Sequence, residues 1–314
     1  MKPNVFKAAL AGFIGAQGLG AAFAQTDAPG ASKGIEEIVV TAQRREESLQ
    51  DVPVAVTALS SDDIENLQVT DVAALQNAAP NMVVSKFPGD NSSANIGIRG
   101  FFSAENLITI DNPVGLYIDG VYVARSAGGN LDMLDIGRIE VLRGPQGTLF
   151  GRNTIGGAVN LVPNRPRDEF ELGIKAGLGD FDLYEAEGVL NLPVGEAVAM
   201  RLAARHGSRD GYASSGLTGR PLNSAEADFA RLQLAAEPFV GWDLLVSGDY
   251  SRSSNEGQWV TLLSYDPAGL AELDVRVAGA GDSLANYVDR YSTTPPSNAD
   301  GKFEVRVWGA SAVL

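Results

Sequence analysis

From residue 170 onward the chain alternates apolar and polar side chains with a period of two, and that pattern leaves few folds open. Phe170, Leu172, Ile174, Ala176 and Leu178 share one parity, with Glu171, Lys175 and glycines on the other. Tyr184, Ala186, Gly188, Leu190 and Leu192 oppose Glu185, Glu187 and Asn191. Val198, Met200, Leu202 and Ala204 oppose Arg201 and Arg205, and Ala230, Leu232, Leu234 and Ala236 oppose Arg231, Gln233 and Glu237. Successive strand side chains point to opposite faces, so these runs predict a sheet with one apolar and one polar face. The clearest is "WDLLVSGDYS", with Trp242, Leu244, Val246, Gly248 and Tyr250 on one face and an aromatic residue at each end. Eight steps at ~3.3 Å span ~26 Å, close to the ~25 Å apolar band between aromatic girdles of a transmembrane barrel. A half-buried sheet in water alternates too, but repetition and girdle spacing together favour the membrane.

The N-terminus supports export. Lys2 and Lys7 precede an apolar, small-residue stretch, and Ala22-Phe23-Ala24 fits a cleavage site, so residues 1–24 read as a secretory signal. The stretch is short and glycine-rich against the ~20 residues of a spanning helix. The chain has no cysteine, so neither disulfides nor thiolate metal sites are expected. Its formal charge of −15 argues against nucleic acid as a partner, since there is no basic patch to neutralise phosphates. His206 is the only histidine and lies on an alternating apolar run, where packing is the expected role. There is no G-x-S-x-G elbow and no H-E-x-x-H. No enzyme, metal or cofactor is expected.

Between the leader and the alternating region lies a stretch of α/β texture. After a loose polar lead, "IEEIVVTA" at residues 35–42 is an isolated apolar island, an extended segment suited to adding itself to another protein's sheet edge. "VPVAVTAL" predicts a strand over residues 52–59. Ser60-x-x-Asp63 predicts a capped helix to about Leu67, and Thr70 a cap for a second helix over 71–78, ended by Pro80. A strand is expected over 95–99, ending at Gly100. In "VGLYIDGVYVAR", Asp119-Gly120 predicts a hairpin with a type I′ turn.

The segment "RIEVLRGPQGTLFGRNTIGGAVNLV" sets Gly144, Gly147, Gly151, Gly156 and Gly157 between strands expected at 138–142 and 158–162. It has no P-loop lysine and no G-x-G-x-x-G, so a nucleotide site is disfavoured. Tight turns at positive φ are the better reading.

The signal, "EEIVVTA", "VPVAVTAL", "IRGF", "YIDGVYVAR" and the glycine-rich segment fall in the order of a known family, and the chain resembles the N-terminal part of TonB-dependent outer-membrane receptors. The resemblance implies an α+β plug domain at 49–166, followed at 167–314 by antiparallel β-strands of an incomplete transmembrane β-barrel. It implies a periplasmic extension at 25–48 with a TonB box at 35–43, in which Glu37, Ile38, Val39, Val40, Thr41 and Ala42 would meet a TonB-type inner-membrane energy transducer. The outer membrane of Gram-negative type is the implied location, with plug and box facing the periplasm and lipid around the strands. Arg99, Arg143, Gly144, Gly147, Gly151 and Arg152 would form the plug motif and its barrel contacts. Arg143 and Arg152 would seek carboxylates on the lumen face, with Glu185 and Glu187 offered by the first strands or others by strands outside this chain. Phe101, Phe102 and Glu105 are candidates for a ligand-facing plug apex. The implied cargo is a small nutrient, most commonly a ferric siderophore, with haem, cobalamin and carbohydrates as others.

The family barrel has ~22 strands, which at ~10 residues each need ~220 residues, more than the region from Phe170 to Leu314 supplies. The chain is therefore expected to be the front part of a receptor. A stand-alone plug acting as a binding module, a decaying gene fragment and a passive porin are the alternatives.

Overall fold

The computed structural model describes residues 39–41, 45, 47–87, 90–103, 110–195, 197–215, 219–239, 241–256 and 302–314. The expected signal at 1–24, and Glu37, Ile38, Ala42 and Glu105, lie outside the described residues.

The first part is an α+β body. Strands β1 (Val39–Val40) and β2 (Glu47–Ser48) pair antiparallel. β3 (Val56–Ser60) then leads into helix α1 (Ser61–Asn66). The capping box forms as its sequence requires: Asp63 N–H donates to Ser60 Oγ at 3.2 Å, and Ser60 N–H returns to Asp63 Oδ2 at 3.0 Å. Two neighbouring expectations need correction. Residues 52–55 are not strand, because Pro53 has no N–H for a ladder, and pairing starts at Val56 opposite Leu142. The second helix is a 3₁₀ turn, Val72–Asn77, capped by Asp71 rather than Thr70: the Asp71 carboxylate accepts from Ala74 N–H at 3.0 Å.

β4 (Met82–Phe87) and β5 (Asp90–Ile98) form a hairpin. β6 (Val114–Ile118) and β7 (Val121–Val123) form the second, with φ of 47° at Asp119 and 78° at Gly120, as a type I′ turn demands. β8 (Ile136–Arg143), helical turn α2 (Gly147–Phe150) and β9 (Gly157–Pro163) complete the body. Its main sheet runs β3-β8-β9-β6-β7. Leu75, Ile98, Ile139, Val141, Val159 and Leu161 are shut off from solvent and form its core.

The rest is a meander of antiparallel strands, here called the wall. β10 (Glu171–Gly179), β11 (Leu183–Pro193) and β12 (Val198–Arg209) come first. A short pair, β13 (Ala213–Ser214) and β14 (Pro221–Leu222), follows. β15 (Ala225–Phe239), β16 (Trp242–Glu256) and β17 (Lys302–Val313) then extend the wall in the order β10-β11-β12-β15-β16-β17. The described strands do not close into a barrel. No described helix is long and apolar enough to cross a membrane.

The period-two faces are both present. Ile174 and Leu178 keep 75% and 89% of their surface exposed although both are apolar, which marks the face turned away from the body. Tyr250 pairs with Trp308 near one end of that face and Phe239 with Trp242 at the other. His206 is not a packing residue: it meets Asp228 at 2.6 Å and Tyr184 Oη at 3.2 Å, where this face turns polar beyond the aromatic level.

The Ser60 amide, then its hydroxyl, hold the Asp63 carboxyl below its ordinary range. The cap therefore stabilises the helix start above the ordinary carboxylate pKa and is lost as pH falls through Asp63's lowered value. Ser60→Ala should cost about 1 kcal/mol. Amide exchange at Asp63 and Leu67 should then accelerate about fivefold at neutral pH, with the acid loosening of this turn diminished.

Candidate functional site

Three places collect polar side chains that the hydrophobic pattern alone does not explain. The first is the joint between body and wall. Asn191 on β11, fully buried, accepts from Arg167 N–H at 3.0 Å and donates to the carbonyls of Arg167 and Glu169, so the connecting segment is tied to the wall before β10 begins.

The second is the seam where the wall faces the body. Arg201 on β12 reaches Asp135 twice, Nε to Oδ2 and Nη2 to Oδ1, both at 2.6 Å, and Glu171 Oε2 at 2.8 Å. The Arg201 and Asp135 side chains are 4% and 2% exposed. Asp135 reaches out from a left-handed turn at φ 58° and also accepts from Asn164 Nδ2 at 2.9 Å. One step along, Arg205 pairs with Asp132 at 3.0 Å and with Glu185 on its own wall. Burial pushes the Asp132 carboxyl up, and Arg205 and the Leu134 N–H only partly offset it. Lys175 meets Glu65 at 2.7 Å, but both are exposed, so that pair contributes little. Arg231 is buried against Phe229, and its Nη1 has no hydrogen-bond partner among the described residues.

This corrects the expected pairing. Glu185 is taken by Arg205, and Glu187 faces Lys175 at 3.9 Å, so neither meets Arg143 or Arg152. The polarity of the seam is reversed: the wall supplies the cations and the body the carboxylates. The signal was present in "RLAARHGSR", which sets arginines four apart on one strand face. Their acids are too distant in sequence for spacing to reveal.

The third place is the start of the described chain. Val40 is fully buried with Tyr117, Leu142, Phe150 and Ala158. Next to it the fully buried Glu140 Oε1 accepts from Thr41 N–H at 2.7 Å, Thr41 Oγ1 at 2.9 Å and Arg138 Nε at 2.8 Å. Asn160 Nδ2 donates to Oε2 at 3.3 Å. Val39 remains 41% exposed.

The glycine-rich segment lies beside it and is less uniform than expected. Gly144 has φ 111°, and a Cβ there would come within 3.0 Å of Arg99 Nη1. Gly157 has φ 151°, and a Cβ would stand 2.2 Å from Leu142 O, which no other residue tolerates. Gly147 instead opens α2, with nothing near it, and Gly151 closes that turn. Arg99 and Arg152 are exposed; Arg143 is half-buried, and its Nε lacks a partner among the described residues. Phe101 packs against Gly156 and Phe102 against Gly97, both with part of the ring exposed. No group of residues suited to holding a metal occurs among the described residues.

A family profile described as the TonB-dependent Receptor Plug Domain matches residues 48–158. The vitamin B12 transporter BtuB of Vibrio vulnificus (strain CMCP6) is 25% identical over 238 residues, covering 74% of this chain and 37% of its own length. Residues 48–158 are thus a TonB-dependent receptor plug domain, and the chain as a whole is similar to TonB-dependent receptors. BtuB of Vibrio cholerae (strain M66-2) is 28% identical over 182 residues, 56% of this chain and 28% of its own. Among solved structures, the ferric yersiniabactin uptake receptor FyuA from Yersinia pestis superposes with a TM-score of 0.60 at 25% identity, over 65% of this chain and 32% of that one. The FpvAI–pyocin S2 complex matches in fold, with a TM-score of 0.68 at 18% identity over 87% of this chain and 34% of that one. The chain thus spans about a third of the length of the curated relatives it matches. The α+β body is the plug, and the wall sheet is the corresponding run of barrel strands. These relatives are transporters and receptors, not enzymes.

Breaking a buried ion pair by removing one partner costs about 3–5 kcal/mol. Asp135→Ala should therefore lower the urea midpoint for plug release in detergent far more than Asp132→Ala, because Arg205 keeps Glu185 and Arg201 keeps only the half-exposed Glu171.

Proposed function

We propose that the full-length protein is an energy-coupled transporter that draws a scarce small nutrient, in the first reading a ferric siderophore, inward across the outer membrane. The observation that carries this is the segment at Val39–Thr41: it is extended, short and held at the head of the plug by one buried strand residue and one carboxylate. An extended segment with one half-exposed flank suits strand addition to a partner's sheet edge. In this reading Glu37, Ile38, Val39, Val40, Thr41 and Ala42 are what a TonB-type transducer grips from the periplasm, and the plug is what it displaces.

The apolar outward face with its two aromatic levels is taken as the lipid-facing side. Phe101, Phe102 and Glu105 are proposed to face the ligand. Arg99, Arg143 and Arg152 are proposed to meet carboxylates on barrel strands beyond the described ones, since a half-buried guanidinium calls for such partners. The names of FyuA and of the pyoverdine receptor complexes support iron as cargo. A second reading, cobalamin, draws on the curated relatives, which are named vitamin B12 transporters.

Deleting residues 38–42 in the full-length receptor should abolish energised uptake while surface binding of the ligand persists. Cells that depend on this receptor, fed radio-iron siderophores or cyanocobalamin in turn, check it. Persistent uptake after the deletion would sink the transducer role, and uptake of cobalamin alone would move the cargo to the second reading.

A further inference from the structure

Arg209, at the end of β12, takes no part in the seam. Its Nη2 donates to the Asn223 carbonyl at 2.9 Å, and its guanidinium carbon lies 4.9 Å from the centroid of the Tyr212 ring. Both supports are themselves fixed. Asn223 stands at φ 65°, donates its N–H to the Glu256 carbonyl at 2.9 Å and gives its side-chain amide to Tyr212 Oη. The guanidinium is thus stacked on one face and anchored at one corner, with the rest of its planar fork uncommitted.

Arg209 lines a cleft of about 440 Å³ between the plug and strands β12, β15 and β16. Small-molecule pockets run to ~300–1,000 Å³, so the space suits a ligand or a part of one. Ala225, the register partner of Arg209, and Ala227 line it too, and their short side chains keep it open. The other charged groups of the lining are matched. Lys86 holds Asp71 at 3.0 Å, and Arg205 holds Asp132 at 3.0 Å. Arg252 Nη1 reaches Glu226 Oε1 and Asp228 Oδ2, both at 3.0 Å. Among the described residues, Arg209 alone of these charges has no partner of opposite sign. Ser251 and Ser253 from β16 and Asn91 from the plug add uncharged polar groups to the same lining.

We propose that this cleft is a subsite for a hydroxycarboxylate: a carboxylate on a small hydroxylated molecule, seated on the Arg209 fork, with its hydroxyls turned to Ser251, Ser253 and Asn91. This deepens the transport reading, in which it names a free carboxylate as part of the cargo, and it rests on that reading.

The chemistry selects this class over its neighbours. A guanidinium presents paired N–H groups that match the two oxygens of a carboxylate. One unmatched cation calls for a monoanion. A phosphate monoester, at about −1.5 to −2, would bring charge that nothing in the lining answers, close to Asp71 and Asp132. An apolar ligand would leave the guanidinium and the serine hydroxyls unpaired, which costs their desolvation. A neutral sugar would use the hydroxyls and leave the fork idle.

The test titrates the full-length receptor in detergent with D-glucuronate and with D-glucose, which differ by one carboxylate, and follows binding by saturation-transfer NMR. Glucuronate should bind about tenfold tighter, as a charge-assisted hydrogen bond implies. Arg209→Gln, checked for the heat-modifiable gel mobility of a folded barrel, should erase that preference. Arg209→Lys keeps the charge without the fork and should restore only part of it. Glucuronate should also slow the modification of Arg209 by p-hydroxyphenylglyoxal, read by peptide mass, whereas glucose should not. Absent or equal binding of the two sugars overturns the assignment, as does a preference that survives Arg209→Gln. Tighter binding of glucose 6-phosphate than of glucuronate overturns it as well. Since no transducer takes part, this result stands apart from the deletion of residues 38–42, whose failure would strike the transport reading instead.

Discussion

Arg201 constrains everything around it. A guanidinium almost fully removed from water must be matched by carboxylates, or the fold is lost. Here one comes from the plug and one from β10, so a single side chain fixes the plug, the first wall strand and β12 in mutual register. The next contact then follows from geometry. Four strand steps carry β12 ~13 Å from Arg201 to Arg205, whereas the three residues from Asp132 to Asp135 span at most ~10 Å. The flexible arginine stems close the difference, but only one of the two pairs reaches ideal geometry. That mismatch gives the seam one rigid contact and one compliant one.

The wall strands carry two unlike faces at once, and period two is what allows it. On β12, Val198, Leu202 and Ala204 turn outward while Ala199, Arg201, Ala203 and Arg205 turn to the plug. A register slip of one residue would turn guanidiniums to the outward apolar face and leucines against carboxylates. Ion pairs between wall and plug thus specify register more sharply than the outward apolar face does, since that face accepts any apolar side chain. The outward face also shows where its apolar band stops: beyond the level of Tyr250 and Trp308 the same parity carries His206, Asp228, Arg252 and Glu304, joined by ion pairs.

Local chemistry was legible and distant chemistry was not. Ser60 and Asp63 meet three residues apart, and Asp119-Gly120 needs only its own backbone, so both could be read directly. Thr70 and Asp71 show the limit: either can cap, and the choice was made by Asn130, which donates to Asp71 Oδ2 at 2.9 Å while its Oδ1 accepts from Ala73 N–H. Residues 52–55 look strand-like by composition, but Pro53 removes a ladder donor. The seam was hidden for the same reason. Arg201 and Asp135 are 66 positions apart, and nothing in either neighbourhood names the other. The glycine-rich segment was only half read. Its positive-φ turns at Gly144 and Gly157 follow from sequence, whereas the helical turn at Gly147 depends on Phe150 packing edge-on against Tyr117, 5.1 Å between ring centroids.

The plug carries its acids and its arginines in separate places. Glu65, Asp132 and Asp135 face the described wall, whose cations answer them. Arg99, Arg143 and Arg152 cluster elsewhere with the glycine-rich segment, and the half-buried Arg143 Nε finds no acceptor among the described residues. Such a donor calls for an acceptor, and none stands among the described residues. The seam itself is graded: Arg201–Asp135 is doubly bonded and sealed, whereas Arg205 divides its charge between Asp132 and Glu185, so the second contact yields before the first.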